Sequence, residues 1–314
     1  MQTVLILAGI ILLGSALYLW LGWKKFLNAF QIELEPNQNL PELHNVPYET
    51  LYYPTANQKI LKTWLLKQPD RPDNNAIAIV AHGWTRNSSF LWPISYHLWK
   101  AGFTVVALNA RNHGESDVDP PMSVYKYVED LQATMTVIRS LYPKASVLVA
   151  GHSLGGAASI IFSGLTPEIK GVAALCPFSS SREIFLMDIR QAKVPLFPFG
   201  LLLLKFAEVH IGHSFRDLAP VNFIGRIQAK MLLIASEKDQ RIPSYMQREL
   251  SDAAPDGNKP QTLIISGATH TSLLTEPETQ NAILDFFLSL DGIRENLNQD
   301  RSNQRSLNQG ELSQ

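Results

Sequence analysis

Three side chains in this sequence have the types and the chain order needed for nucleophilic acyl transfer. Ser153 lies in VAGHSLGGAAS (149–159), with Gly151 two residues before it and Gly155 and Gly156 close behind. A serine hydroxyl is a weak nucleophile near neutral pH, so it needs a histidine to take its proton and a carboxylate to orient that histidine. Asp239 in LLIASEKDQRIP and His270 in LIISGATHTSL supply both, in the order Ser, Asp, His. The glycines have a physical reason: a sharp turn from strand to helix holds the serine in a strained backbone conformation, and a Cβ at 151 or 155 would collide with the neighbouring strand or helix.

Attack on a carbonyl also builds charge on its oxygen, which preorganised backbone N–H donors stabilise. The stretch AIAIVAHGW (76–84) offers the amide of Trp84, and Leu154, next after the serine, offers a second. Rivals for the other roles are weaker. Glu237 stands two residues before Asp239 but nearer the strand. His44 precedes the domain, His97 falls in a helical stretch, His210 and His213 fall in an insertion, and His152 should point away from its neighbour; His82 reads as structural. No metal or organic cofactor is called for, because the Cys/His spacings of a zinc site are absent.

Elements must bring these residues together. Short apolar, β-branched runs at 62–67, 77–81, 104–108, 147–150, 171–175, 231–235 and 262–265 alternate with helical patterns, which predicts an α/β domain with a mostly parallel sheet covered on both faces. In such a sheet all the strand C-termini share one edge, so the loops bearing Ser153, Asp239 and His270 should converge. Val124, Tyr127, Val128, Leu131, Met135, Ile138 and Leu141 recur at helical spacing, and Ala282, Ile283, Phe286, Phe287 and Leu290 form the stripe of a last helix. Residues 178–226 contain no convincing strand but are rich in Leu and Phe, and read as a helical cap broken by Pro195 and Pro198.

The termini differ from this core. Residues 1–23 carry no charged side chain and Lys24 and Lys25 follow at once, so 1–25 reads as a transmembrane anchor with aromatic residues near its end, the lysines placing the domain on the cytoplasmic side. A proline- and asparagine-bearing stretch, 26–47, reads as a linker to a domain spanning 48–292, and 293–314 as a disordered polar tail. With a formal net charge of −1 and no long basic block, a nucleic-acid partner is not expected. Cys176 is the single cysteine, so no intramolecular disulfide can form. No obligate protein partner is evident.

Taken together, HGW at 82–84, LNARNHGES at 108–116, GHSLGG at 151–156, CPF at 176–178, Asp239 with Ile242 and Pro243, and GATH at 267–270 resemble the α/β-hydrolase superfamily. Within it the chain is similar to small bacterial hydrolases of the serine aminopeptidase and prolyl-oligopeptidase-like type. The resemblance implies an eight-stranded, mostly parallel sheet with a helical cap after the sixth strand, and a triad of Ser153, Asp239 and His270 beneath it. One departure is Asn112, which stands where the family's R-G-H-G-x-S pattern has its first glycine; asparagine tolerates a left-handed backbone, and Arg111 and His113 read as structural. The expected activity is a serine hydrolase acting on hydrophobic carboxylic esters. An aminopeptidase-like amidase, with Glu183, Asp188 or Glu208 holding a substrate amine, and a non-catalytic tethered binding protein are the alternatives.

Overall fold

In a computed structural model the described residues are 2–29, 34–38, 40–68 and 76–297. The chain runs α1 (Gln2–Ala29), β1 (Tyr48–Pro54), β2 (Ile60–Leu66), β3 (Ala76–Ala81), α2 (Trp92–Ala101), β4 (Thr104–Leu108), α3 (Val124–Leu141), β5 (Ser146–His152), α4 (Leu154–Leu165) and β6 (Ile169–Leu175). It continues with α5 (Ser181–Gln191), α6 (Leu201–Ile211), β7 (Lys230–Ser236), α7 (Ser244–Ala253), β8 (Gln261–Ile265) and α8 (Pro277–Leu288). The eight strands form one sheet in the order β1-β2-β4-β3-β5-β6-β7-β8. Only β2 runs against its neighbours; from β4 to β8 every pairing is parallel. This is the α/β-hydrolase arrangement.

Strand alternation builds the two faces of the core. In β3, Ile77, Ile79 and Ala81 face one hydrophobic cluster with α3, α4 and α7, while Ala76, Ala78 and Val80 face the other with α2 and α8. Both sides of the strand are buried, so it reads as a continuous apolar run, and each buried isoleucine contributes about 1.5–3 kcal/mol. The hydroxyl of Ser123 caps α3 by accepting from Lys126 N, and Gly102, at φ 109°, ends α2.

Three expectations about the ends are adjusted. The expected linker is partly fastened to the domain: Pro41 and Val46 are buried, Asn87 Nδ2 donates to Glu35 O, and Gln38 N donates to Ser89 Oγ. The ordered domain passes 292, because Ile293 and Leu297 are buried in the cluster around α8; the rest of the expected tail, 298–314, lies outside the described residues. The N-terminal segment is a 28-residue helix, α1, some of whose side chains are not described. Among the described residues no helix is long and apolar enough to cross a membrane, so the transmembrane anchor rests on the sequence.

Between β6 and β7 the chain leaves the sheet to form the cap. Leu186, Ile189 and Leu204 pack α5 against α6 in a small core of their own. The break between the helices spans Leu196–Gly200, with Phe197 non-helical, at the place where the two prolines predict an interruption.

Candidate active site

β5 ends at His152 and α4 starts at Leu154, leaving Ser153 alone at the turn with φ 53° and ψ −116°. A non-glycine residue in that region carries strain of about 1–3 kcal/mol. The strain is held by pairing on both sides: Ser153 N donates to Leu175 O at 2.8 Å, and Ala157 N donates to Ser153 O at 2.9 Å. Close approach explains the flanking glycines. A Cβ at Gly155 would fall on the carbonyl oxygens of Ala81 and His82, and one at Gly151 on the carbonyl of Gly155 and the hydroxyl of Ser159.

Asp239 follows β7. Its Oδ1 accepts from the amides of Arg241 and Ile242, each at 2.8 Å, and its Oδ2 lies 2.7 Å from His270 Nδ1, beyond β8. Burial pushes the Asp239 carboxyl up, but the hydrogen bonds from His270 and Ile242 outweigh it and hold it below the usual carboxylate range. The carboxylate fixes the imidazole proton on Nδ1 and leaves Nε2 as the basic nitrogen. Glu237 plays a different part, accepting from Gly267 N at 2.7 Å and Ser266 Oγ at 3.1 Å and so tying the Asp239 loop to the His270 loop.

Ser153 and His270 line one cavity of about 1530 Å³. Among the described residues no hydrogen bond joins the two side chains, His270 being held instead by Asp239; contacts of this kind commonly tighten only around a substrate. The loop after β3 lies against the turn, since a Cβ on Gly83 would sit 3.2 Å from Ser153 Cβ. Trp84 and Leu154 line the cavity, and among the described residues neither amide has a hydrogen-bond acceptor. His82 holds this loop from behind. Its Nε2 accepts from Ala110 N at 3.1 Å, its Nδ1 bonds Gly83 O at 2.9 Å, and Tyr127 donates its hydroxyl to His82 O at 2.8 Å.

His152 has a part that its sequence neighbourhood does not reveal. It lines the same cavity as Ser153, its ring lies 4.7 Å from that of His270, and its Nε2 bonds the backbone oxygen of His270 at 2.8 Å, so it props the loop that carries the imidazole. Burial and the nearby His270 push its pKa down to about 3, keeping the ring neutral. His152, Cys176 and His270 bring one nitrogen or sulfur each within 4.8 Å of one another. Two of the three are already engaged, His270 Nδ1 with Asp239 and His152 Nε2 with the His270 carbonyl, and burial pushes the Cys176 thiol up to about 12.

The turn after β4 is structural. Arg111 is fully buried and donates to Asp130, Asp119 and Glu129. Asn112 takes φ 64°, and its side chain pairs with both the N–H and the carbonyl of Asp119, so asparagine serves in the glycine's place. His113 Nδ1 bonds Arg111 O at 2.8 Å inside the same turn.

The cap closes over the cavity, and three of its acidic residues are already engaged. Asp188 forms a two-point ion pair with Arg241, Glu183 accepts from the Tyr245 hydroxyl at 2.6 Å, and Glu208 accepts from Phe215 N at 3.2 Å. His213 lies tilted against Tyr125 with ring centroids 3.8 Å apart, and His210 lies near the end of α6. His44 stacks on Trp92, and His97 sits in α2. Of these four only His213 lines the cavity that Ser153 and His270 share.

Residues 72–210 match a family model described as serine aminopeptidase, S33; the match includes Ser153 but stops short of Asp239 and His270. The chain is 24% identical over 196 residues to the uncharacterized protein YqkD of Bacillus subtilis, covering 60% of this chain and 63% of that protein. It is 22% identical over 219 residues to the uncharacterized membrane protein YNL320W of Saccharomyces cerevisiae, covering 70% of this chain and 72% of that one. Among solved structures it is similar to the Pyrococcus furiosus esterase Pf2001, with a TM-score of 0.66 and 19% identity over 83% of this chain and 97% of the other.

Proposed function

We propose that this chain, which has the α/β-hydrolase fold, is a serine hydrolase cleaving carboxylic esters of apolar acyl groups. Ser153 Oγ attacks the ester carbonyl carbon while His270 Nε2 takes the hydroxyl proton, and the amides of Trp84 and Leu154 receive the charge that develops on the oxygen. Collapse expels the alcohol, which takes the proton from His270. Water then attacks the acyl-serine with His270 again as base, releasing the acid and restoring Ser153. Asp239 orients the imidazole and stabilises its charged form.

The observation that carries this reading is the Asp239–His270 pair, 2.7 Å apart, with His270 lining the cavity that Ser153 enters from a strained turn. Esters are favoured over aminoacyl amides because Glu183, Asp188 and Glu208 are committed to partners within the protein and cannot readily hold a substrate amine. Ser153→Ala should abolish both ester turnover and labelling by a fluorophosphonate; unchanged turnover would end the proposal. A panel of acyl esters and aminoacyl amides tests the bond type, and faster turnover of the amides would reverse it.

The reading includes tethering to a membrane by residues 1–25, with the catalytic domain on the cytoplasmic side. The uncharged run 1–23 and the two lysines that follow it support this. Full-length protein should stay with the membrane fraction after alkaline carbonate washing; release into the supernatant would count against the tether.

A further inference from the structure

The cap buries its own small core and leaves a second apolar surface uncovered. Phe197 is 81% exposed and Val209 69%, with Leu202 and Phe206 each at 50%. An isolated exposed leucine needs no explanation, but several large apolar groups along one short segment do. This segment meets α1. Trp23 packs edge-on against Phe206 with ring centroids 5.3 Å apart, and Tyr18 and Trp20 expose their rings on the preceding turns.

Lysine predominates among the charges around this surface. The cap carries Lys193 and Lys205, the second of which pairs with Glu208 at 3.5 Å, and α1 carries Lys24 and Lys25 and no acidic residue. Lys205 is 74% exposed, and Lys24 lies over the ring of Trp20. Large apolar side chains with aromatics and a fringe of lysines suit the headgroup boundary of an anionic bilayer. The cavity reaches the same place: its wall includes Tyr18, Trp23, Leu202 and Phe206 as well as Ser153 and His270.

We propose that the exposed edge of the cap and the Tyr18–Trp23 end of α1 form one surface that sits in an anionic lipid bilayer, and that acyl esters pass from the lipid directly into the Ser153 cavity. The surface stands on its own observations; the passage of substrate rests on the hydrolase reading above. It requires only that the cap dip into the headgroup boundary, and does not depend on α1 crossing the membrane.

The single native cysteine is buried, so a cysteine introduced by Phe197→Cys can be labelled selectively with an environment-sensitive fluorophore. The full-length protein is then mixed with vesicles of phosphatidylcholine containing phosphatidylserine. The expected result is a blue-shifted, brighter emission at 197, while the same label introduced by Asp256→Cys, on an exposed turn before β8, does not respond. Equal, water-like emission at both positions would overturn the proposal. So would a concentration-dependent shift at 197 without lipid, which would assign the surface to a second copy of the chain.

The double variant Phe197→Asp with Val209→Glu should lower hydrolysis of a long-chain ester embedded in the vesicles by about tenfold and leave a short soluble ester unaffected. Equal loss on both esters would refute the substrate route. The fluorescence result separates the two ideas: a responding probe on a protein without esterase activity would sink the hydrolase reading and keep the surface. An active esterase with a silent probe would do the reverse.

Discussion

Replacing Asp239 by asparagine tests the proposed machinery at its most constrained point. Oδ1 of Asp239 accepts two backbone N–H bonds at 2.8 Å, and Oδ2 faces the imidazole at 2.7 Å. An asparagine keeps both amide bonds only by turning its oxygen toward Arg241 and Ile242, which presents its NH2 group to His270 Nδ1. The ring must then carry its proton on Nε2, where the base is needed. The opposite orientation sets an NH2 group against two N–H donors and forfeits about 2–3 kcal/mol of hydrogen bonding. Loss of the charged partner that stabilises the imidazolium adds about 2–3 kcal/mol to the barrier. Together these correspond to a fall in kcat of roughly 10³–10⁴-fold, since each 1.36 kcal/mol is tenfold. The assay is initial-rate hydrolysis of a chromogenic short-chain ester, with circular dichroism confirming an unchanged fold. Activity within tenfold of the parent protein would refute the tautomer argument and Asp239 as the orienting acid. The same carboxyl gives a stability signature. Its folded pKa is depressed, so its contribution is fully present above the ordinary carboxylate value and is lost as pH falls through the folded one. The stability gap between parent and Asp239→Asn, measured by urea unfolding, should therefore close below about pH 4.

Other expectations address the frame. Gly155→Ala should prevent folding or destabilise by about 3 kcal/mol or more, because its methyl group meets two carbonyl oxygens; a thermal melt unchanged from the parent would contradict the packing described. Glu237→Ala should slow turnover by less than tenfold, because this residue ties two loops without touching the imidazole; a loss as deep as that of Asp239→Asn would exchange the two roles. Cys176 should resist iodoacetamide in the native protein at mildly alkaline pH and react only on unfolding, as its buried thiol has a pKa near 12; rapid native alkylation seen by mass spectrometry would contradict this.

Much of the site is legible in the chain because parallel strands impose a common edge. With 147–150, 231–235 and 262–265 read as strands, Ser153, Asp239 and His270 have to emerge together, and the Asp239–His270 pairing follows from that geometry. The strand at Tyr48–Pro54 is not legible in the same way. It ends in proline, leaves Tyr52 exposed, and is strand only because it pairs along its length with β2. His152 propping His270 is equally hidden, since the bond joins residues 118 apart and no local pattern announces it. Ile293 and Leu297 look like stray apolar residues in a polar tail, and only the groove beside α8 gives them a place.

The strand order also fixes a schedule. β8 is an edge strand that pairs with β7 alone and is the last of the eight to leave the ribosome, and His270 hangs from its end. Under the proposed mechanism, a nascent chain therefore presents its N-terminal helix and Ser153 well before His270, the base for that serine, has been made. On that mechanism, whatever lipid the helix meets during synthesis is met by an unarmed protein, and competence waits for the sheet's final edge to be added.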